Sequence, residues 1–238
     1  MSEFWLVPIA FTTSLIAGVF GMGGGVLLIT TMPGLVPPMA IIPLHAVTQL
    51  ASNASRAVFG WRHIALSLVA PFLLGAVVAA ALGVQVFRYL SLDWLPMLMG
   101  VVILLITWIP LPMVKGGGHW PWVFLGFYQT GIGMFVGATG PLGAALLAQR
   151  KQGRDWLVVN TAMYMSTNHL VRMLAFAFAG FAFADYALLL TGMIIGVVLG
   201  SWLGTRLRQF IPEMNFQVLF KCLVSVLALR MIAVSVPL

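Results

Sequence analysis

Apolar residues run almost unbroken along this chain, and the few interruptions mark out its elements. Charges and Pro/Gly clusters divide it into eight apolar segments, roughly 4–32, 38–60, 64–86, 94–113, 120–149, 156–181, 185–208 and 215–236. None alternates apolar and polar positions over ten residues, so the segments predict helices and not barrel strands. About 20 helical residues cross a bilayer, and six of the eight segments are near that length. The first and fifth are too long, at about 29 and 30 residues. Each carries a glycine cluster near its middle, "GVFGMGGG" (Gly18 to Gly25) and "GMFVGATGP" (Gly133 to Pro141). Glycine costs a helix about 1 kcal/mol per residue relative to alanine, so the clusters predict breaks. Close packing of neighbouring helices is the alternative account of the same glycines.

The two halves resemble each other. "HAVTQLASNASR" (His45 to Arg56) matches "NTAMYMSTNHLVR" (Asn160 to Arg172) at an offset of 115 that drifts to 116, and "GAVVAAALG" (Gly75 to Gly83) matches "GVVLGSWLG" (Gly196 to Gly204) at 121. Collinear similarity of this kind predicts a duplication, with residues 1–114 as one repeat and 115–238 as the other, together forming one transmembrane domain. Loop charges then bear on topology. With eight full crossings the basic residues scatter over both faces. With segments 1 and 5 entering and leaving on one side, Arg56, Arg62, Lys115, Arg150, Lys151, Arg154, Arg206 and Arg208 share a face, and only Arg88 and Arg230 oppose them. Eight against two is the better positive-inside pattern. It predicts two inverted repeats and both termini outside the cytoplasm. The fold expected is therefore an all-α polytopic membrane protein with segments 1 and 5 broken or re-entrant at the glycine clusters.

Composition removes several function classes. Of 238 residues, 61% are hydrophobic and 7% charged, against about 25% charged in a soluble domain. The net charge of +7 is spread over short loops, which argues against nucleic acid as a partner. A single cysteine excludes a disulfide framework. No paired carboxylates, HExxH or nucleophile with a base points to an enzyme, and no metal or cofactor motif is present. The amino terminus, with Glu3 in place of a basic stretch, does not resemble a cleavable signal.

Polar positions inside the segments carry the chemistry. Two interrupted helices at corresponding places in two halves point to a substrate site. Half-helix ends expose unpaired N–H groups that suit an anion. Gly23, Gly24 and Gly25 supply such an end in the first half, Thr139 and Gly140 in the second, and Pro141 can open a half-helix. In segment 2, His45, Gln49, Asn53 and Arg56 share one helical face; in segment 6, Asn160, Tyr164, Asn168 and Arg172 do the same. Polar groups at this depth face a bundle interior or a wet cavity. Arg172 lies deeper in its segment than Arg56, which is near enough to an end to snorkel, and is the stronger candidate ligand. His169 points about 100° from Asn168 and reads first as a contact between helices. The five carboxylates all sit at segment ends. An arginine-lined, carboxylate-free cavity selects anions. Coupling to protons would fall to His45 or His169.

At these residues the chain resembles the sulfite exporter TauE/SafE family. The resemblance rests on "GVFGMGGGVLLIT", on "NASRAVFGWRHI", on the recurrence of both patterns in the second half, and on "GAVVAAALG" and "GSWLGTRLRQFIP". It covers nearly the whole chain. It implies a multi-pass permease of a bacterial or archaeal inner membrane for sulfite, sulfoacetate or another sulfonate. The family motif carries over to Gly21, Gly23, Gly24, Gly25, Asn53 and Arg56, then to Gly137, Gly140, Asn168 and Arg172. The second cluster departs from a glycine-rich pattern by reading "GATGP". The partners expected are a small anion and the lipid bilayer, with homo-oligomerisation left open. An anion channel, a carboxylate transporter and, more distantly, a membrane-embedded enzyme remain as alternatives.

Overall fold

The computed structural model describes residues 2–87, 89, 94–109, 118–137, 139, 143, 146–147, 150, 152–211 and 217–235. Arg88, Lys115, Gly140, Pro141 and Lys151, all used above, lie outside them. Among the described residues the chain is helical throughout. It forms α1 (Leu6–Phe20), α2 (Gly24–Thr31), α3 (Pro38–Phe59), α4 (Val69–Phe87), α5 (Leu95–Trp108), α6 (Trp120–Val136), α7 (Arg154–Phe178), α8 (Ala187–Arg208) and α9 (Gln217–Ser235). Prolines sit at the first turns of α3, α5 and α6, where a missing N–H costs nothing.

Among the described residues four stretches are long and apolar enough to cross a membrane: Ser2–Phe20, Leu66–Phe87, Phe183–Arg208 and Val218–Ser235. With 22 and 25 residues, α3 and α7 have the length as well. Their hydropathy is lowered by buried polar residues, among them Gln49, Asn53 and Arg56 on α3 and Asn168, His169 and Arg172 on α7. Large apolar side chains such as Leu74, Leu82, Leu188 and Ile195 face outward, as lipid contact requires. Trp5, Trp61, Trp94 and Trp120 stand exposed at helix ends, the position of an interfacial aromatic belt. The chain is a multi-pass membrane protein.

Packing follows small residues. α1 and α8 lie side by side and run parallel. Val7 meets Gly192, Phe11 meets Gly200, and Gly18 meets Gly204. A Cβ added at Gly200 would stand 2.3 Å from the Phe11 carbonyl oxygen, and one at Gly204 2.4 Å from that of Leu15. α4 and α6 pack in the same parallel sense, with Gly75 against Val123, Gly126 against Phe72 and Gly83 against Met134. Without a hydrophobic drive between helices in lipid, such close backbone approach supplies much of the association. Gly126→Ala would place a Cβ 2.0 Å from the Phe72 oxygen and force the pair apart. The expected cost is about 1–3 kcal/mol, read as a lower melting temperature of the purified protein in detergent.

Two other pairs run antiparallel. On α3 and α7, Gly60 lies against Val159 and His45 beside His169. On α5 and α9, Gly100 lies against Ile232, while Trp108 Nε1 donates to Ser225 Oγ at 2.9 Å. At the junction of α1, α3 and α8, Ser14 Oγ is within 2.8 Å of Ser52 Oγ and 2.7 Å of Ser201 Oγ, and donates to the Val197 carbonyl. This cluster satisfies hydroxyls that lipid or an apolar core would leave unpaired.

Candidate functional site

The site begins where α1 stops. Gly21 takes φ 85° and closes the helix with its N–H on the Ala17 carbonyl at 2.8 Å, a left-handed end that favours glycine. Gly23 also has positive φ, 96°, and caps α2. Between them the chain reverses, so that Gly24 packs against the Thr13 carbonyl and the Ala17 methyl. The first amides of α2 have no acceptor within the helix. α6 ends in the same way at Gly137, with φ 76° and its N–H on the Gly133 carbonyl at 2.9 Å.

These ends enclose a cavity of about 40 Å³, lined by residues that include Gly21, Gly23, Gly24, Gly25, His45, Gln49, Asn53, Arg56, Gly137, Thr139, Thr161, Met165 and His169. That is room for roughly three waters between its polar groups. His45 Nε2 lies 2.9 Å from the Gly25 carbonyl oxygen. A carbonyl only accepts, so Nε2 carries the proton and the buried Nδ1, without a hydrogen-bond partner among the described residues, is left as an acceptor. The His45 and His169 rings meet edge to face, 5.6 Å apart. Arg56 Nη2 donates to Asn53 Oδ1 at 2.5 Å, while its Nε and Nη1 have no partner among the described residues. Gln49 Oε1 lies so near Gly25 that a Cβ there would be 3.2 Å away. Among the described residues no carboxylate borders the cavity. Asp155 pairs with Arg208 at 3.3 Å, and among the described residues no group of His, Cys, Asp or Glu could hold a metal.

The structure therefore brings Gly23, Gly24, Gly25, His45, Gln49, Asn53, Arg56, Thr139 and His169 to one place. Asn168 and Arg172 stand behind its wall. Asn168 accepts from Thr130 at 3.1 Å and reaches Thr139 Oγ1 at 3.4 Å. Arg172 lies over Gly133 and donates through Nη1 to the Gly137 carbonyl at 2.9 Å. His169 meets His45 between α3 and α7, as the contact between helices expected of it, and also lines the cavity, because α7 is turned one position from the register that pairs Asn53 with Asn168. The rest of the α7 polar face serves other ends. Asn160 accepts from the Ala65 N–H and donates to the His63 carbonyl, both at 2.8 Å, pinning the loop after α3. Tyr164 packs with Phe72 and Trp122. Gln129, not singled out from sequence, is fully buried and braces Thr139 through its carbonyl at 2.6 Å.

Helix-lined and membrane-embedded, with a small arginine-lined cavity between helix ends, the molecule has the build of a permease. Its residues 6–231 match the family model described as sulfite exporter TauE/SafE. The chain belongs to the sulfite exporter TauE/SafE family, a family of membrane transporters for sulfur anions. No curated protein and no solved structure matches it.

Proposed function

We propose that this chain carries a small sulfur oxyanion, a sulfonate, sulfoacetate or sulfite, across the bacterial or archaeal inner membrane by alternating access. The observation that carries the reading is the Arg56 guanidinium, buried between helix ends with two nitrogens unpaired and no carboxylate lining the cavity among the described residues. Leaving such a charge uncompensated is costly, and an anion bound by its planar fork removes the cost. Gln49, Asn53, Thr139 and the amides of Gly24 and Gly25 surround the same space. Arg172, with Asn168 beside it, adds positive charge from behind the second break. His45 and His169 are the groups through which a proton could be coupled.

Positions 116 apart support two repeats, split at residues 114 and 115. Gly21 and Gly137 end helices alike, and Ser14–Ser52 and Thr130–Asn168 are matched hydrogen bonds. Helices that correspond under this offset, α3 with α7 and α5 with α9, run antiparallel, which supports inversion. Inverted repeats with broken helices suit a rocking carrier, and a cavity with room for roughly three waters suits a carrier better than an open pore. In proteoliposomes, labelled sulfite or sulfoacetate should show saturable uptake that unlabelled anion on the other side accelerates. Steady single-channel current without such counterflow would establish a channel instead.

A further inference from the structure

We infer, on the permease reading above, that His45 selects the protonation state of the anion. Its Nδ1, fixed as an acceptor between the two breaks, takes the O–H of a singly protonated oxyanion such as hydrogensulfite. The proton travels on the substrate, and His45 stays neutral.

The His45 ring bridges the two breaks. Its Nε2 donates to the Gly25 carbonyl at 2.9 Å. Its Nδ1 stands on the side of Gly137, 3.6 Å from where a Cβ on that glycine would lie. The backbone of Gly137 does not answer it, because the N–H is given to the Gly133 carbonyl and the Gly137 carbonyl accepts from Arg172. The side chain is fully buried, and Nδ1 has no partner among the described residues.

The neighbouring groups are free of this constraint. Arg56 offers only donors, and its Nε and Nη1 are unpaired among the described residues. His169 Nδ1 lies 3.4 Å from Arg172 Nη1. A guanidinium only donates, so that Nδ1 accepts and the neutral His169 ring carries its proton on Nε2, a further donor. Asn53 Oδ1 is filled by Arg56. Gln49, Thr139 and Thr161 each carry a donor beside an acceptor and can turn the donor to an anion. Among the described side chains that line the cavity, His45 Nδ1 is the one nitrogen or oxygen both fixed as an acceptor and left unfilled. An oxyanion without a proton would set a lone pair against it, and an unmet buried acceptor is costly. An O–H removes that cost. Charge agrees, because one guanidinium, that of Arg56, lines the cavity among the described residues and balances a monoanion.

The charged or titratable groups around His45 are Arg56 on its own helix and His169 and Arg172 on α7. α1 and α2 carry none, and Tyr128 of α6 is exposed. Arg206 and Arg208 sit at the far end of α8, the latter paired with Asp155.

The test reads affinity by thermal stabilisation of the full-length protein on both sides of neutral pH. The probes are sulfite and methanesulfonate, a monoanion that carries no O–H. Sulfite loses its proton across this range, so hydrogensulfite thins out about tenfold per pH unit on the alkaline side. Affinity counted on total sulfite should weaken in proportion, whereas methanesulfonate binding should be absent or change less than about threefold. His45→Leu, of similar size and without nitrogen, removes the acceptor. Its sulfite affinity on the acid side should fall about tenfold, and its pH dependence should flatten. Sulfite binding equally tight on both sides of neutrality would overturn the inference alone. So would methanesulfonate binding that strengthens with acid as sulfite binding does, because His45 would then take the proton itself. Full pH dependence of sulfite binding in His45→Leu would overturn it as well. Should that variant fail to fold, the two probes on the unmodified protein decide. Failure of every oxyanion to bind the unmodified protein at any pH would overturn the permease reading, and this inference with it.

Discussion

Arg56→Leu should lose anion transport and gain stability. The loss follows from removing the one guanidinium that lines the cavity among the described residues. Truncating a buried, hydrogen-bonded charge partner costs about 2–5 kcal/mol of binding, or roughly 30- to 5,000-fold in affinity. Flux at fixed substrate should fall to the background of empty liposomes. The gain follows from the same burial. Arg56 is 6% exposed, bonded to Asn53, and otherwise unpaired among the described residues. Replacing a poorly compensated buried charge by an apolar side chain of similar size is often stabilising, here by about 1–3 kcal/mol. The melting temperature without anion should therefore rise. A residue that weakens the empty protein and is kept at its centre is one held there for a ligand, a trade of stability for function. Lower stability in Arg56→Leu would show that the guanidinium is a structural member instead.

Gly137→Ala should be the most damaging single-methyl change at the site. The backbone there has φ 76°, and an added Cβ would stand 1.9 Å from Ile29 Cδ1. The left-handed conformation costs a non-glycine residue about 1–2 kcal/mol, and the overlap adds about 1–3 kcal/mol. A shift of the turn would also pull the Gly137 carbonyl from Arg172. Loss of melting stability by about 2–5 kcal/mol is expected from these two terms together. Pairing the change with Ile29→Ala removes the overlap and leaves the backbone term. The double variant should thus be less destabilised than the two single changes added together, whereas simple additivity would place Ile29 out of contact with the break.

Much of this arrangement is visible in the chain itself. The break at Gly21 to Gly23 shows because glycine accumulates in a segment too long for one crossing, and the α3 face shows because His45, Gln49, Asn53 and Arg56 keep a near-helical spacing. Spacing alone leaves the rotation of a helix about its own axis undetermined. Asn53 resembles Asn168 by type, and pairing the two turns α7 by one position, about 100°. The contacts put Ser52 with Asn168, through Ser14 and Thr130, and so bring His169 to the cavity in the register of Asn53. Residue type misled where hydrogen-bond partners decided. Asn160 and Tyr164 share the α7 face with Arg172, yet their partners, the loop at His63 to Ala65 and the aromatic pair Phe72 and Trp122, come from elements remote in sequence. Ser14 follows Thr12 and Thr13, Gln129 precedes Thr130 and Ser201 stands between Gly200 and Trp202, so none of them belongs to a polar face repeated at helical spacing. The glycines needed both accounts offered for them. Gly21, Gly23 and Gly137 break the chain, whereas Gly18, Gly200 and Gly204 let α1 and α8 touch.

The central claim is that this cavity holds an oxyanion against Arg56, and the melting temperature of the purified protein tests it most directly. It should be followed against rising concentrations of sulfite, sulfoacetate, sulfate, thiosulfate and a simple carboxylate. A ligand that binds only the folded state stabilises it by about 2.7 kcal/mol at 100 times its dissociation constant. The melting temperature of the unmodified protein should therefore climb with at least one sulfur oxyanion, and that of Arg56→Leu should stay flat. Equal stabilisation of the two proteins, or none of the unmodified one, would contradict the account.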